Sequence, residues 1–439
     1  MKFKKAFPRM PGVQMSSIEF TKKIEKKGEY DVIVCGGGVS GVSAALSSAE
    51  RGKSTLLIEK STILGGLATL GLINLFVPMC NGRGKQIIFG RCERWVRESI
   101  KYGFDTLHPD WKDGEPQKKT DARYVSWFSP YIFALQMTEE VTKAGIDTKF
   151  DCNAIEPVMD GNICRGVITL SKSGLEYYGC KMLIDTTGDL DVMRRAGVPH
   201  TKGKNFATYV GKKITLEGCE AAIKEKDVSK AISPISGYSA SLWGTNQPEG
   251  VPLWSGLTGD EVNDYIIRNQ LEMLDKLKED ERLSREVVSL PLMPQFRTSC
   301  HLDGDYTFTE NDVYRHFDDS VCAINDFEHR DYLYEVPLRA LVRHDYPNMI
   351  TAGRSASAEG YGWDVIRVIP PAILTAQAAA NAACLAIDSG CGISEVDIKE
   401  LQKMLVEEDV MIHFPDEYVP EDKSFSFRKK AVEIEGGHL

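Results

Sequence analysis

Three glycines, Gly36, Gly38 and Gly41, stand between an apolar β-branched run, Tyr30–Cys35, and a run of small residues that closes at Gly52. This G-x-G-x-x-G spacing suits a pyrophosphate. The first glycine permits a tight turn, the second lets backbone approach the phosphates, and the third lets a helix lie close on a strand. The phosphates would sit at the positive end of that helix. Glu59 follows Gly36 by 23 residues and ends a second apolar run, Ser54–Ile58. A carboxylate there binds the ribose diol of an adenosine and repels a 2′-phosphate. The pattern therefore points to a dinucleotide other than NADP.

A β-α-β unit must position these residues: a strand over 30–35, a helix over 42–51 and a strand over 54–58. That length is right for one crossover. Ala45, Ala49 and Gly52 keep the helix near the sheet. Three later features favour FAD over NAD. Gly65-Gly66 follows Glu59, where backbone would run beside a long flavin cofactor. Ile184–Asp189 is an apolar strand that ends in the Gly188-Asp189 turn. Ile350–Arg354 is a late strand that ends at Gly353-Arg354, and a helix over 371–387 follows it, with a proline start and Gly390 as its stop.

Between these points, Pro130–Ala144 reads as a helix. Glu156–Met159 and Ile163–Leu170 are joined through Asp160-Gly161, a strong hairpin signal. Leu175–Ile184 supplies a further pair of strand-like runs, so a three-stranded meander is expected. Residues 195–330 change texture, with loops rich in Gly, Ser and Pro and a charged amphipathic helix from 262 to 285. The expected fold is α/β: a Rossmann-like FAD-binding domain, with a parallel sheet plus a three-stranded meander, and a second α+β substrate domain. Residues 1–29 form an extension. The FAD-binding domain takes 30–194 and 331–405, with 70–128 contributing to the substrate side. The cap takes 195–330, and 406–439 is a surface tail.

The chain has 439 residues, 42% hydrophobic and 26% charged, with a net charge of −10. That is the balance of a globular protein, with no global field for nucleic acid or an anionic membrane. The opening MKFKKAFPRMPG lacks the apolar core of a secretory signal. The apolar stretch 365–387 contains Arg367 and Pro370-Pro371, so it reads as a buried helix rather than a membrane span. The eleven cysteines include no C-x-x-C pair. No disulfide framework, zinc ribbon or iron–sulfur cluster is expected, and no metal; reduced thiols in a cytoplasmic protein are.

Four segments together resemble a known family: DVIVCGGGVSGVSAALSSAERGKSTLLIEK, IDTTGDLDVMRRAGVP, YEVPLRALVRHDYPNMITAGRSASAE and RVIPPAILTAQAAANAA. They are similar to the FAD-dependent oxidoreductases of the glutathione-reductase-like fold, over residues 30–405. Within these, the chain most resembles the group that contains the flavin subunit of CoB–CoM heterodisulfide reductase and many uncharacterised bacterial proteins. The first segment is shared by many flavoproteins; the last two narrow the group. The resemblance implies that Glu59 holds the adenosine ribose. Gly188 and Asp189 would lie near the diphosphate and ribityl region, with Gly353 and Arg354 opposite. Backbone N–H groups at Pro371, Ala372 and Ile373 would meet the flavin pyrimidine edge, where a helix start stabilises negative charge on reduced flavin.

The family also has an arginine-rich segment in its second domain. Here it reads PQFRTSCHLDGD, from Pro294 to Asp305. Arg297 and Gly304 fit, while Cys300 and His301 stand where relatives carry paired arginines. A histidine titrates near neutral pH and can move a proton as hydride moves. Arg367, just before the apolar helix, is a cation for an anionic substrate, for the flavin, or for pairing with an acid. Arg297 and His301 are four apart and would share a face on a helix or a strand. Arg297, His301 and Arg367 are therefore expected in one pocket against the flavin ring, as the catalytic group. Cys80 and Asn81 lie in a loop able to approach the flavin, without a motif for covalent attachment. The expected function is hydride transfer between flavin N5 and a small organic substrate. Without a cysteine cluster for an internal relay, electrons would pass to the substrate or to a separate carrier. Two other readings stay open: a non-catalytic flavin-binding subunit of an electron-transfer complex, and a flavoenzyme of thiazole synthesis or RNA modification.

Overall fold

Runs of β-branched and aliphatic residues build a seven-stranded sheet. At its centre the strand Lys26–Cys35 pairs in parallel with Thr55–Ile58 on one side and Gly174–Asp185 on the other. Val32 and Val34 enter one core, while Ile33 and Cys35 enter another. Burial on both faces explains why this strand reads as an unbroken apolar run. Asp147–Lys149 extends the sheet beyond Thr55–Ile58, and Met349–Thr351 pairs in parallel with the end of Gly174–Asp185. The computed structural model describes residues 19–421; 1–18 of the expected extension and 422–439 of the expected tail lie outside the described residues.

The meander runs Asn153–Asp160, Ile163–Ser171, Gly174–Asp185, all antiparallel. The expected pair of runs over 175–184 is one continuous strand. One edge of it follows Lys26–Cys35 along most of its length, and this holds it straight. Its other edge serves the meander first and Met349–Thr351 afterwards.

Two helices of small residues lie back to back in the larger core: Val39–Glu50, with Gly41, Ser43, Ala44 and Ala45 buried, and Ile369–Ser389, with Ala376, Ala379, Ala380 and Ala383 buried. Small side chains let the backbones approach, and Ser43 Oγ donates to the Ile373 carbonyl at 3.0 Å. The second helix is apolar and long enough to cross a membrane, yet 94% of its most apolar window is buried inside the protein, so it is a core helix.

The cap carries a three-stranded antiparallel sheet, Ile232–Ser239, Thr208–Thr215 and Arg285–Ser289, with the helix Gly259–Glu279 against it. Tyr209, Trp254, Tyr265 and Phe296 form its own core. The expected boundary at 330 is not where the cores divide. The hairpin Ser320–Asn325 with Leu333–Pro337 sends Val321, Ile324, Leu333 and Val336 into the larger core. Trp95, from the 70–128 stretch, joins it too.

Residues 406–421 are not a surface tail. Val410, Ile412 and Phe414 alternate into the larger core, and the Ala323 N–H donates to the Met411 carbonyl at 2.6 Å. The segment lies along the hairpin like a further strand. Its charged residues suggest a tail, but the period-2 apolar pattern decides its place. Phe414 is 1% exposed. Phe414→Ala should cost about 3–5 kcal/mol, the usual range for emptying a buried phenylalanine. Chemical denaturation of the cofactor-loaded protein measures this; an unchanged midpoint would mean that the segment is detached.

Candidate functional site

The glycine loop is built by close approach. Gly36 has φ +99°, and its N–H donates to the Ile58 carbonyl at 2.8 Å. A Cβ on Gly41 would come within 1.7 Å of the Gly36 carbonyl oxygen. A Cβ on Gly38 would meet no atom within 4 Å, so this glycine faces open space. No side chain caps the helix that starts there. Uncapped N–H groups beside open space at a helix start make a cradle for a pyrophosphate. The Glu59 carboxylate accepts the Gly37 N–H at 2.6 Å and the Ser61 N–H at 2.7 Å, which fixes it beside the loop. Gly65 donates its N–H to the Gly37 carbonyl at 2.8 Å, and a Cβ on Gly66 would lie 3.2 Å from Gly38 Cα. The second glycine pair is thus zipped onto the first.

One guanidinium joins the other two turns. Arg354 pairs with Asp189 at 2.9 Å and donates to the Phe296 carbonyl at 2.7 Å. Ser299 Oγ donates to the same Asp189 carboxylate. Gly188 has φ +84°, and a Cβ on it would come 2.7 Å from Arg354 Nη2. Arg354 therefore acts as a clamp between the 188, 296 and 353 segments. Behind this turn the buried Asp185 carboxylate accepts N–H bonds from Thr187, Val192 and Met193. Burial pushes its pKa up, against those bonds. Gly353 lies where the two small-residue helices begin: a Cβ on it would be 2.5 Å from Ser40 Oγ and 3.3 Å from Ala372 Cβ.

The expectation for Pro371, Ala372 and Ile373 needs correction. The helix begins at Ile369, two residues earlier than expected. Pro370 and Pro371 carry no N–H, and the Ala372 N–H already donates to the Val368 carbonyl at 3.0 Å. Of the donors that a helix start leaves open, Ile369 supplies the one that remains within the first three helical residues.

Next to this helix start lies a charged cluster. Arg367 pairs with Asp364 at 2.5 Å. Half-buried Arg297 donates to the Ala240 carbonyl at 3.2 and 3.3 Å, and among the described residues no carboxylate is in ion-pair contact with it. Burial, with Arg367 nearby, pushes its pKa down to about 10. Asp364 and Glu328 also act on Arg297. Glu328 is half-buried, and burial, reinforced by Asp326, pushes its pKa up to about 7. Asp326 is buried, accepts the Tyr361 hydroxyl at 2.6 Å, and accepts the Glu328 N–H at 2.7 Å. Trp243 from the cap stacks on Tyr361 with ring centroids 5.3 Å apart.

Arg297 and Arg367 lie near enough for their charges to act on each other, and neither is among the charges that act on His301. His301 is buried, its Nδ1 lies 2.8 Å from the Leu302 carbonyl, and its ring packs edge-on against Trp363. Burial holds its pKa low, and the charges acting on it are Asp303, Glu359 and His200. Trp363 and Asp364 are neighbours on the helix Gly360–Ile366, about 100° apart around its axis. The rule that residues four apart share a face fails here because only Cys300–Leu302 is strand; 291–299 is irregular. Cys80 is buried with Sγ accepting the Tyr124 N–H at 3.1 Å, and Asn81 closes a turn to Arg83 and Lys85. Glu328, Asp326 and Trp243 escaped the sequence reading. The one local signal was the density of acidic and aromatic residues over 326–334.

The model of the FAD dependent oxidoreductase family matches residues 31–228 and 243–405, so the chain belongs to that family. The family's cofactor is FAD, and the open glycine cradle with its anchored Glu59 fits it. A digeranylgeranylglycerophospholipid reductase of Methanospirillum hungatei JF-1 is 31% identical over 155 residues, 34% of this chain and 35% of that protein. A tRNA uridine 5-carboxymethylaminomethyl modification enzyme of Alkaliphilus oremlandii is 25% identical over 282 residues, 55% of this chain and 40% of that protein. The chain spans about a third to a half of the length of the first curated relatives it matches. A solved geranylgeranyl bacteriochlorophyll reductase-like protein from Thermoplasma acidophilum has 13% identity and a TM-score of 0.46, covering 94% of this chain and 99% of that one.

Removing the Glu59 carboxylate should weaken FAD binding by about 1–3 kcal/mol, the worth of a charge-assisted bond. Flavin titration of Glu59→Ala against wild type reads this directly. Equal affinities would place the ribose elsewhere.

Proposed function

We propose that this member of the FAD dependent oxidoreductase family oxidises or reduces a small oxygen-rich anion, a carboxylate foremost, bound by Arg297 and Arg367. The observation that carries this reading is Arg297, a half-buried guanidinium without a carboxylate partner among the described residues. A desolvated cation without a directly paired carboxylate is costly, and an anionic substrate would pair with it. Bound FAD supplies hydride exchange at its N5. Arg367 lies two residues before the start of the Ile369–Ser389 helix, so its charge is close to the expected flavin end. Its pairing with Asp364 leaves Arg297 as the stronger anion site.

The proton role passes from His301 to Glu328. A carboxyl held near pH 7 is suited to general acid–base work, and Glu328 shares the cluster of Arg297 and Asp364. His301 supports Trp363, whose Nε1 donates to the Arg354 carbonyl at 2.7 Å. Its role is therefore one of position. The motif segments around Gly353 and the apolar helix support kinship with the group of the heterodisulfide reductase flavin subunit. Electrons would then reach a separate carrier or the substrate itself.

Anaerobic screening of small carboxylates for flavin bleaching tests the substrate class. Arg297→Leu should abolish bleaching by any hit while FAD stays bound; bleaching only by neutral compounds would refute the reading. Glu328→Gln should slow turnover by about 10²–10⁴. In the wild type, the reducing direction should slow as pH rises through about 7, because the proton donor is lost, and the oxidising direction should quicken. The variant should lack that break. A wild-type profile that is flat around pH 7 removes Glu328 from the chemistry.

A further inference from the structure

The hairpin, the residues just before it and the 410–416 segment meet at three residues outside the glycine turns and the charged cluster. Glu335, in the strand Leu333–Pro337, has a fully buried side chain. One of its oxygens lies 2.5 Å from His316 Nδ1, and the other lies 3.0 Å from His413 Nδ1. The second oxygen also accepts the Phe317 N–H at 2.8 Å. Both imidazoles are partly open to solvent. The ligating atoms of the three residues all lie within 4.8 Å of one another.

A neutral imidazole has one N–H and one lone pair. His316 meets a carboxylate at each nitrogen: Glu335 at Nδ1, and Asp416 at Nε2, 3.1 Å away. In the neutral ring, one of those contacts sets a lone pair against a carboxylate, which either a second ring proton or a metal ion relieves. His413 brings a second ring nitrogen to the same buried carboxylate. One divalent ion would satisfy all three groups. The His316 Nε2–H would then donate to Asp416, and Nδ1 would face the ion. An outer carboxylate that orients a ligating histidine is the usual support of such sites.

We propose that His316, Glu335 and His413 bind a divalent transition-metal ion of the zinc class. Two imidazoles and a carboxylate are a donor set such ions favour, with water free to take a fourth position on the solvent side. With bonds of about 2.0–2.1 Å, tetrahedral ligand atoms lie about 3.3 Å apart. The two short contacts need open by less than about 1 Å to admit the ion. The ion would pin the 410–416 segment to the hairpin, a structural role separate from electron transfer. The absence of local ligand spacing, which led the sequence reading to expect no metal, says nothing here: the three residues meet only through the fold.

The test uses untagged, FAD-loaded protein stripped with a chelator and titrated with zinc. Eleven cysteines offer unrelated weak sites, so the baseline is the double variant His316→Ala, His413→Ala, whose replaced rings are partly exposed. The wild type should bind one more equivalent of zinc than the double variant, and zinc should raise its melting temperature while leaving that of the variant unchanged. Flavin content should be equal in both, which separates loss of the site from loss of the fold. Equal zinc uptake and equal thermal shifts in the two proteins would overturn the proposal. Should the double variant fail to hold flavin, His413→Ala alone serves, with the same two outcomes.

Discussion

Everything at the cofactor end depends on one close approach of helix to strand at Gly41. Gly41 packs against the Gly36 carbonyl and Thr186, so the helix Val39–Glu50 starts directly over the ends of Lys26–Cys35 and Gly174–Asp185. Thr186 Oγ1 locks the contact by donating to the Cys35 and Gly36 carbonyls at 2.9 and 2.8 Å. A methyl group at position 41 would separate helix from sheet. The positive helix end would then leave the crevice at the carboxyl ends of the strands, where α/β sheets bind nucleotides. The Gly65 bridge, the Glu59 anchor and the Gly353 crossing are all built on that placement.

Much of this was legible because it is local. Three glycines, an acidic residue at the end of the next strand and a small-residue helix lie within 31–60 and need no distant partner to be recognised. The Asp160-Gly161 hairpin was legible for the same reason. What escaped depends on distance. Arg354 joins residues 188, 296 and 353, and no spacing rule links them. Glu328 owes its raised pKa to burial and Asp326, so its chemistry belongs to the fold rather than to its neighbours in the chain. For Arg297 and His301 the periodicity argument had no purchase, because the backbone before Cys300 is irregular. Pro371 is different: its missing N–H was visible in the sequence and should have excluded it as a donor.

The charged cluster runs against the charge of the whole chain. A protein of net charge −10 gathers Arg297, Arg354 and Arg367 around one helix start. Arg354 and Arg367 each have a carboxylate, and their positions are thereby fixed. Arg297 is different, because the Ala240 carbonyl accepts two of its N–H bonds and carries no charge of its own. Carbonyls position a guanidinium at little cost to its field, whereas a salt bridge quenches that field. A protein that needs a cation in a fixed place for a transient anion is served by the first kind of support.

The hairpin Ser320–Asn325 with Leu333–Pro337 carries this logic across the molecule. The loop that joins its two strands, 326–332, carries Asp326 and Glu328. Asn325 Nδ2 donates to the Pro78 carbonyl at 2.8 Å, and Arg123 donates to the Asp326 carbonyl at 2.8 Å. Farther along the same two strands, Glu335 pairs in register with Ala323, whose N–H holds the Met411 carbonyl. Glu328 is therefore held by a strand pair whose outer edge is completed by residues 410–414. Backbone strands transmit such bracing well, since each ladder bond fixes the register of the next. This gives residues 410–414 a reason to be buried: they stiffen the strand pair whose connecting loop carries Glu328.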